Sequence, residues 1–146
     1  MTELRLEGAV ELQKVLKALP RELAKRALAS AARAGGVVIR KAVQARAPVL
    51  TGGLKASVTV RRSLARKGSD TVVSYRVAAG GPEGFHALFH ELGSSHESPK
   101  PFMRPAAEEA FPKAVAKIRD ALRRSLAAAA KKVSGRYGGA RRALTR

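Results

Sequence analysis

Residues 86–106 read HALFHELGSSHESPKPFMRPA, and the rest of the chain is organised around them. The stretch opens with a short apolar segment, Ala87, Leu88, Phe89 and Leu92, and closes it with Glu91 and Gly93. A polar loop, 94–100, follows. Pro101-Phe102-Met103-Arg104-Pro105 then stops the loop and starts a helix. Two prolines around an aromatic fix two φ angles near −65° and bias the preceding residues away from the helical region. Phe102 is thereby held on stiff backbone. Pro105 reads as a first helical position, where its missing N–H costs nothing. The segment predicts a rigid corner joining a sheet edge to a long helix. Glu91 is read as pairing with an arginine or accepting backbone N–H bonds near the Gly93 turn.

Outward from this corner, 105–132 predicts a long helix with Ala110, Ala114, Val115, Ile118, Leu122, Leu126 and Ala129 on one face. Pro112 falls inside the pattern and predicts a kink or a split first turn. Residues 134–146, SGRYGGARRALTR, are glycine-rich and basic and read as a disordered segment. On the other side, 80–84 (GGPEG) reads as a mobile loop. Before it, 54–62 and 71–79 alternate apolar and polar residues at period two, with Val58 and Val60 in one and Val73, Tyr75 and Val77 in the other. They predict a β-hairpin with a basic outer face and a long tip at Arg66 and Lys67.

The first half of the chain is helical in pattern. Residues 3–7 suggest a short edge strand ending at Gly8, and 9–19 an amphipathic helix. From 21 to 45, Leu23, Ala27, Leu28, Ala31, Gly35, Val38, Ile39, Ala42 and Val43 recur at three- and four-residue steps. Gly35-Gly36 costs about 1 kcal/mol per glycine within a helix. Close approach of another backbone is the favoured reason for the pair, and a helix break the other. Pro48 ends the helix, and Thr51-Gly52-Gly53 supplies a turn with freedom for positive φ. The whole predicts an α+β fold: a small antiparallel β-sheet packed on one face by two long α-helices, with a flexible basic C-terminal segment. Residues 1–133 form one domain and 134–146 a disordered basic extension.

Composition bounds the function. The chain has 146 residues, 45% of them hydrophobic, but only two Tyr, four Phe and no Trp. Much of the apolar content is alanine, so the core is thin. Without cysteine, disulfides and thiolate metal sites are excluded. Glu3, Glu7 and Glu11 argue against a signal peptide, and the most apolar stretch, 27–43, is interrupted by Arg33, Arg40 and Lys41, which excludes a membrane span. His86, His90, Glu91 and His96 do not fall in the H-E-x-x-H pattern of a zinc site and read as structural or surface residues. There is no G-x-S-x-G, and the glycine pairs form neither a P-loop nor a dinucleotide fingerprint. No enzyme, cofactor, metal or small-molecule substrate is expected.

The net charge is +18. Between Leu12 and Ser69 the only acid is Glu22, and none follows Asp120. Such a field favours nucleic acid, anionic membranes or acidic proteins, or is simply a solvated basic surface. Arg61, Arg62, Arg66 and Lys67 cluster on the hairpin and bind phosphate without sequence readout. Aromatic platforms for single strands are nearly absent. A sequence-independent nucleic-acid-binding protein is therefore the rival reading.

Two separated motifs resemble one family. Ala47-Pro48-Val49-Leu50-Thr51-Gly52-Gly53-Leu54-Lys55-Ala56-Ser57-Val58 is similar to A-P-x-x-T-G-x-L-x-x-S-[IV]. Residues 86–94 with Lys100-Pro101-Phe102-Met103-Arg104-Pro105-Ala106 are similar to A-x-x-x-E-[FY]-G-T followed by P-F-[LM]-R-P-A. Both resemble the tail-completion, or head–tail joining, proteins of long-tailed bacteriophages and prophages. Leu92 and Ser94 depart from the usual aromatic and threonine. The resemblance implies a structural protein of the virion neck, formed in the host cytoplasm during assembly. It implies a ring of copies between the head connector or adaptor and the tail terminator or tail-tube proteins, with the genome passing through. Pro48, Thr51, Gly52, Leu54, Glu91, Gly93, Pro101, Phe102, Arg104 and Pro105 match the motif and are the subunit-interface candidates. Phe102 and Arg104 are expected either to dock near the Thr51-Gly52-Gly53 turn of a neighbour or, for Phe102, to cap the protomer's own core. Arg61, Arg62, Arg66 and Lys67 are expected to face double-stranded DNA in the lumen, without sequence specificity, or an acidic partner.

Overall fold

The computed structural model describes residues 14, 16–17, 19–48, 52–63 and 72–143. Helix α1 spans Arg21–Arg46, followed by a single helical turn α2, Gly53–Ser57. Strands β1 (Val58–Ser63) and β2 (Ser74–Ala79) form a two-stranded antiparallel sheet. Helix α3 spans Gly81–Leu92 and helix α4 Met103–Ala143. The fold is α+β, with a small antiparallel sheet and two long helices. The proposed strand at 3–7 and the hairpin tip at 64–70 lie outside the described residues, as does most of the helix at 9–19.

Helices α1 and α4 pack antiparallel along a seam of small residues. Ala27 and Ala31 meet Ala121, Leu122 and Leu126 in one apolar cluster. Arg46 pairs with Glu109 at the other end. The glycine pair is the reason the seam closes. A Cβ on Gly35 would stand 2.5 Å from Ile118 Cγ1, and one on Gly36 would stand 2.9 Å from Val60 Cγ1. Successive residues point about 100° apart on a helix, so Gly35 admits α4 and Gly36 admits the sheet. Close packing is the outcome, and the helix is unbroken there. Helix α4 is likewise continuous across Pro112, which lies on its exposed side.

Three local expectations are corrected. Residues 54–57 were predicted to begin a strand, but they form α2, and the strand starts at Val58. The reason is Gly52: its φ of +78° starts a helical turn, in which Ala56 N–H donates to the Gly52 carbonyl and the Ser57 hydroxyl to the Leu54 carbonyl at 2.8 Å. The loop and short apolar segment expected over 80–92 are one 12-residue helix, α3. Pro82 sits in its first turn, where a missing N–H is harmless. Gly84 lies so near the sheet that a Cβ would stand 2.9 Å from the Ala79 carbonyl carbon and oxygen, so this glycine serves contact and not mobility. Beyond Ser134, where a disordered segment was expected, the backbone continues as helix to Ala143.

Candidate functional site

The two motif stretches converge on one buried cluster. Ala47, Leu54 and Val58 come from the first, and Ala87, Phe102 and Ala106 from the second, with Val43 of α1 between them. Phe102 is only 5% exposed. Its ring therefore belongs to the core of the protomer and is not an exposed corner available to a neighbour: of the two roles expected for it, the fold fits capping the protomer's own core and not docking. A buried phenylalanine at the junction of α1, α2, α3 and α4 contributes on the order of 2–3 kcal/mol of apolar burial.

The corner is built on a carboxylate. Glu91, near the end of α3, accepts the backbone N–H of Phe102 at 2.9 Å and of Met103 at 3.0 Å on Oε2, and that of Arg104 at 3.1 Å on Oε1. These are the donors that a helix start leaves without intrahelical partners. The next residue is Pro105, which has no N–H. The first turn of α4 is thus fully satisfied, three donors by one side chain and the fourth by being a proline. Burial raises the Glu91 pKa. The three backbone donors and the Arg104 charge outweigh it and hold the carboxyl below its ordinary 4.5. Pro105 is the third residue of α4, since the helix begins at Met103, and not the first as expected.

The loop between Glu91 and Phe102 is equally determined. Gly93 has φ +80° and caps α3, donating its N–H to the Phe89 carbonyl at 2.7 Å. A Cβ there would stand 3.0 Å from the Glu97 carbonyl oxygen and from Pro99. The Ser94 N–H donates to the Glu97 carbonyl, and its hydroxyl accepts from the His96 and Glu97 N–H groups at 3.3 and 3.2 Å. The Lys100 N–H returns to the His90 carbonyl at 2.8 Å.

The other motif residues are placed as follows. Pro48 is half-buried at the end of α1, Gly52 begins α2 in the left-handed region, Pro101 and the Arg104 side chain are exposed, and Pro105 is half-buried. Thr51 lies outside the described residues, as do Arg66 and Lys67. Arg61 and Arg62 are exposed on β1, and the sequence reading missed their companion. Arg76 of β2 pairs in register with Arg61, and the three arginines line one open concavity of about 520 Å³. The period-two alternation of the hairpin contained that signal, because it sets Arg61 and Arg76 on one face. His86 and His96 are exposed, and among the described residues no group of three or more His, Asp or Glu is placed to hold a metal. No described helix is long and apolar enough to cross a membrane.

Fold and site together define a small α+β domain whose motif residues shape the protomer itself. The chain matches, over residues 11–93, the family described as "Bacteriophage HK97-gp10, putative tail-component". It belongs to that family, the HK97-gp10-like phage tail components. The match contains the whole first motif and reaches Gly93 of the second. Comparison with curated proteins finds no match, and comparison with solved structures finds none. Membership makes the chain a structural component of a phage tail, associated with other virion proteins.

Proposed function

We propose that the chain is a head–tail joining protein of the phage neck. Copies form a ring between the head connector and the tail terminator or tail tube, and the genome passes through its open centre. It performs no catalysis and binds no cofactor. The observation that supports this reading is the convergence of both motifs on the Phe102 cluster, beside which the second motif builds its own Glu91 cap. Leu54, Phe102 and Glu91 stabilise a rigid building block, and among the described residues none that matches the family pattern is arranged as a nucleophile, a base or a ligand set. A net charge of +18 opposes self-association at low ionic strength, so the isolated chain is largely monomeric there and assembles with its partners or in high salt. Imaging of native particles tests the reading: the domain should fit density at the head–tail junction.

The arginine face supports a second reading, sequence-independent binding of nucleic acid. Arg61, Arg62 and Arg76 have no carboxylate partner among the described residues and neutralise phosphate wherever it approaches. Filter binding across a salt series discriminates the two. A nucleic-acid protein retains duplex DNA at physiological salt with a steep salt slope, and a neck protein outside the particle does not.

A further inference from the structure

Helix α3 turns an apolar face outward. Phe85, Leu88, Phe89 and Leu92 stand at i, i+3, i+4 and i+7, one stripe of a helix, and are 61%, 52%, 42% and 63% exposed. Ala87 secures the opposite face in the core. The Phe85 and Phe89 rings meet edge to face, with centroids 4.8 Å apart and planes at 87°, so the stripe is ordered before anything docks on it. Four half-exposed side chains of this size present on the order of 300–400 Å² of apolar surface. That is nearly half of the roughly 800 Å² each partner contributes to a standard interface.

The charge around the stripe differs from that of the rest of the molecule. Residues 77–99 hold no Lys or Arg, and their only charged side chains are Glu83, Glu91 and Glu97. No other stretch of the chain free of Lys and Arg exceeds eight residues. Copies of a chain carrying +18 bring cations together through almost any other face. Through this one they do not.

The complementary surface is the outer face of the sheet. Arg61 and Arg76 stand directly opposite each other, an arrangement that is unfavourable for like charges without a third party. With Arg62 they line the open concavity of about 520 Å³, whose floor includes Thr59 and Ala78. That volume is ample for a pair of phenyl rings. Guanidinium planes stack on aromatic faces, and the attraction grows on desolvation.

We propose that the Phe85/Leu88/Phe89/Leu92 stripe of one copy seats in the arginine-lined concavity of a second copy. The two surfaces are different, so each docked copy keeps one of each free, and the contact propagates head to tail until it closes. The inference rests on the ring reading above and names the surfaces that would make the ring. Both surfaces flank the β2–α3 junction, so a two-fold pairing of α3 on α3 is the competing arrangement.

The chain has no cysteine, which makes disulfide trapping clean. Leu88→Cys and Thr59→Cys are made singly and together. The variants are oxidised as purified protein at about 0.5 M salt, where the Debye length is only about 4 Å, and again in particles assembled from them. The double variant is expected to give a ladder of dimer, trimer and higher species on a non-reducing gel. The two single variants mixed should give dimers only, and each alone should stay monomeric. Circular dichroism melts matching the unmodified chain confirm that the variants fold. A dimer from Leu88→Cys alone overturns the inference in favour of the two-fold pairing. Absence of the 59–88 bond in both settings also overturns it. If particles then still show a ring of this chain at the neck, only the choice of surfaces has failed. If the chain is missing from the neck, the ring reading has failed with it.

Discussion

Replacing Glu91 by alanine removes the acceptor for three backbone N–H groups at 2.9, 3.0 and 3.1 Å. Loss of an ordinary N-terminal cap costs about 0.5–2 kcal/mol. Here one carboxylate serves three donors, and two of these bonds, to Phe102 and Met103, are partly buried, while the exposed Arg104 N–H can turn to water. The cost should fall near the top of that range, about 2 kcal/mol. Glu91→Gln keeps an acceptor oxygen but loses the charge facing the positive end of α4, and should cost about 1 kcal/mol. Urea unfolding at pH 7 followed by far-UV circular dichroism gives both values, with an unchanged slope if the native fold is retained. The pH dependence adds an independent check. The Glu91 pKa is depressed in the folded chain relative to its ordinary 4.5. Its contribution is therefore complete above about 4.5 and disappears as pH falls through the lower folded value. The gap between the unmodified chain and Glu91→Gln should be constant from pH 7 to about pH 5.5 and narrow in acid. A cost below about 0.5 kcal/mol for the alanine variant, or a gap that persists undiminished at pH 3, would refute the cap.

Further outcomes follow from the packing. Gly35→Ala gains up to about 1 kcal/mol of helix propensity but drives a methyl into Ile118, so a net loss of about 1–2 kcal/mol is expected. Adding Ile118→Ala should recover part of it, giving a non-zero coupling energy in a double-mutant cycle. Gly93→Ala forces a side chain into left-handed backbone against Glu97 and Pro99 and should lower stability by about 1–3 kcal/mol in thermal melts. Phe102→Ala should cost about 3–5 kcal/mol and leave a loosened or unfolded monomer, seen as lost thermal cooperativity. A well-folded variant defective only in assembly would contradict its core placement. Sedimentation of the isolated chain at low salt should show monomer, and a stable ring there, without partners, would count against the electrostatic argument.

Much of this was legible in the residues. The stripe from Leu23 to Val43 and the stop at Pro48 give α1 to within one residue of its end at Arg46, because a long helix repeats its signal every turn. Gly35-Gly36 announced a close approach, and only the structure shows that the two glycines face different neighbours. Helix α3 was obscured by Gly80-Gly81-Pro82 at its start, since residues that break a helix interior are harmless in a first turn. The helical turn at 53–57 was hidden by an alternation shared by chance with the strand that follows. Glu91 reads as pairing with an arginine or accepting backbone N–H groups near the Gly93 turn; its donors lie instead 11–13 residues ahead, at Phe102, Met103 and Arg104, and no local pattern specifies a contact across a loop. The same loss of long-range information left Phe102 undecided: its stiff backbone is readable, but the choice between docking on a neighbour and capping the protomer's core is not. Arg76 is easily overlooked because it is the one basic residue of its strand: the alternation puts it on the outer face, and strand pairing then sets it opposite Arg61.

The neck role proposed for this tail component is open to direct test. The most direct measurement is cryo-electron microscopy of the native particle at a resolution that resolves helices. The account predicts a ring at the head–tail junction into which this domain fits, with the α4 corner inside each subunit and α3 at the subunit boundary. A particle whose neck is complete without this chain would contradict it.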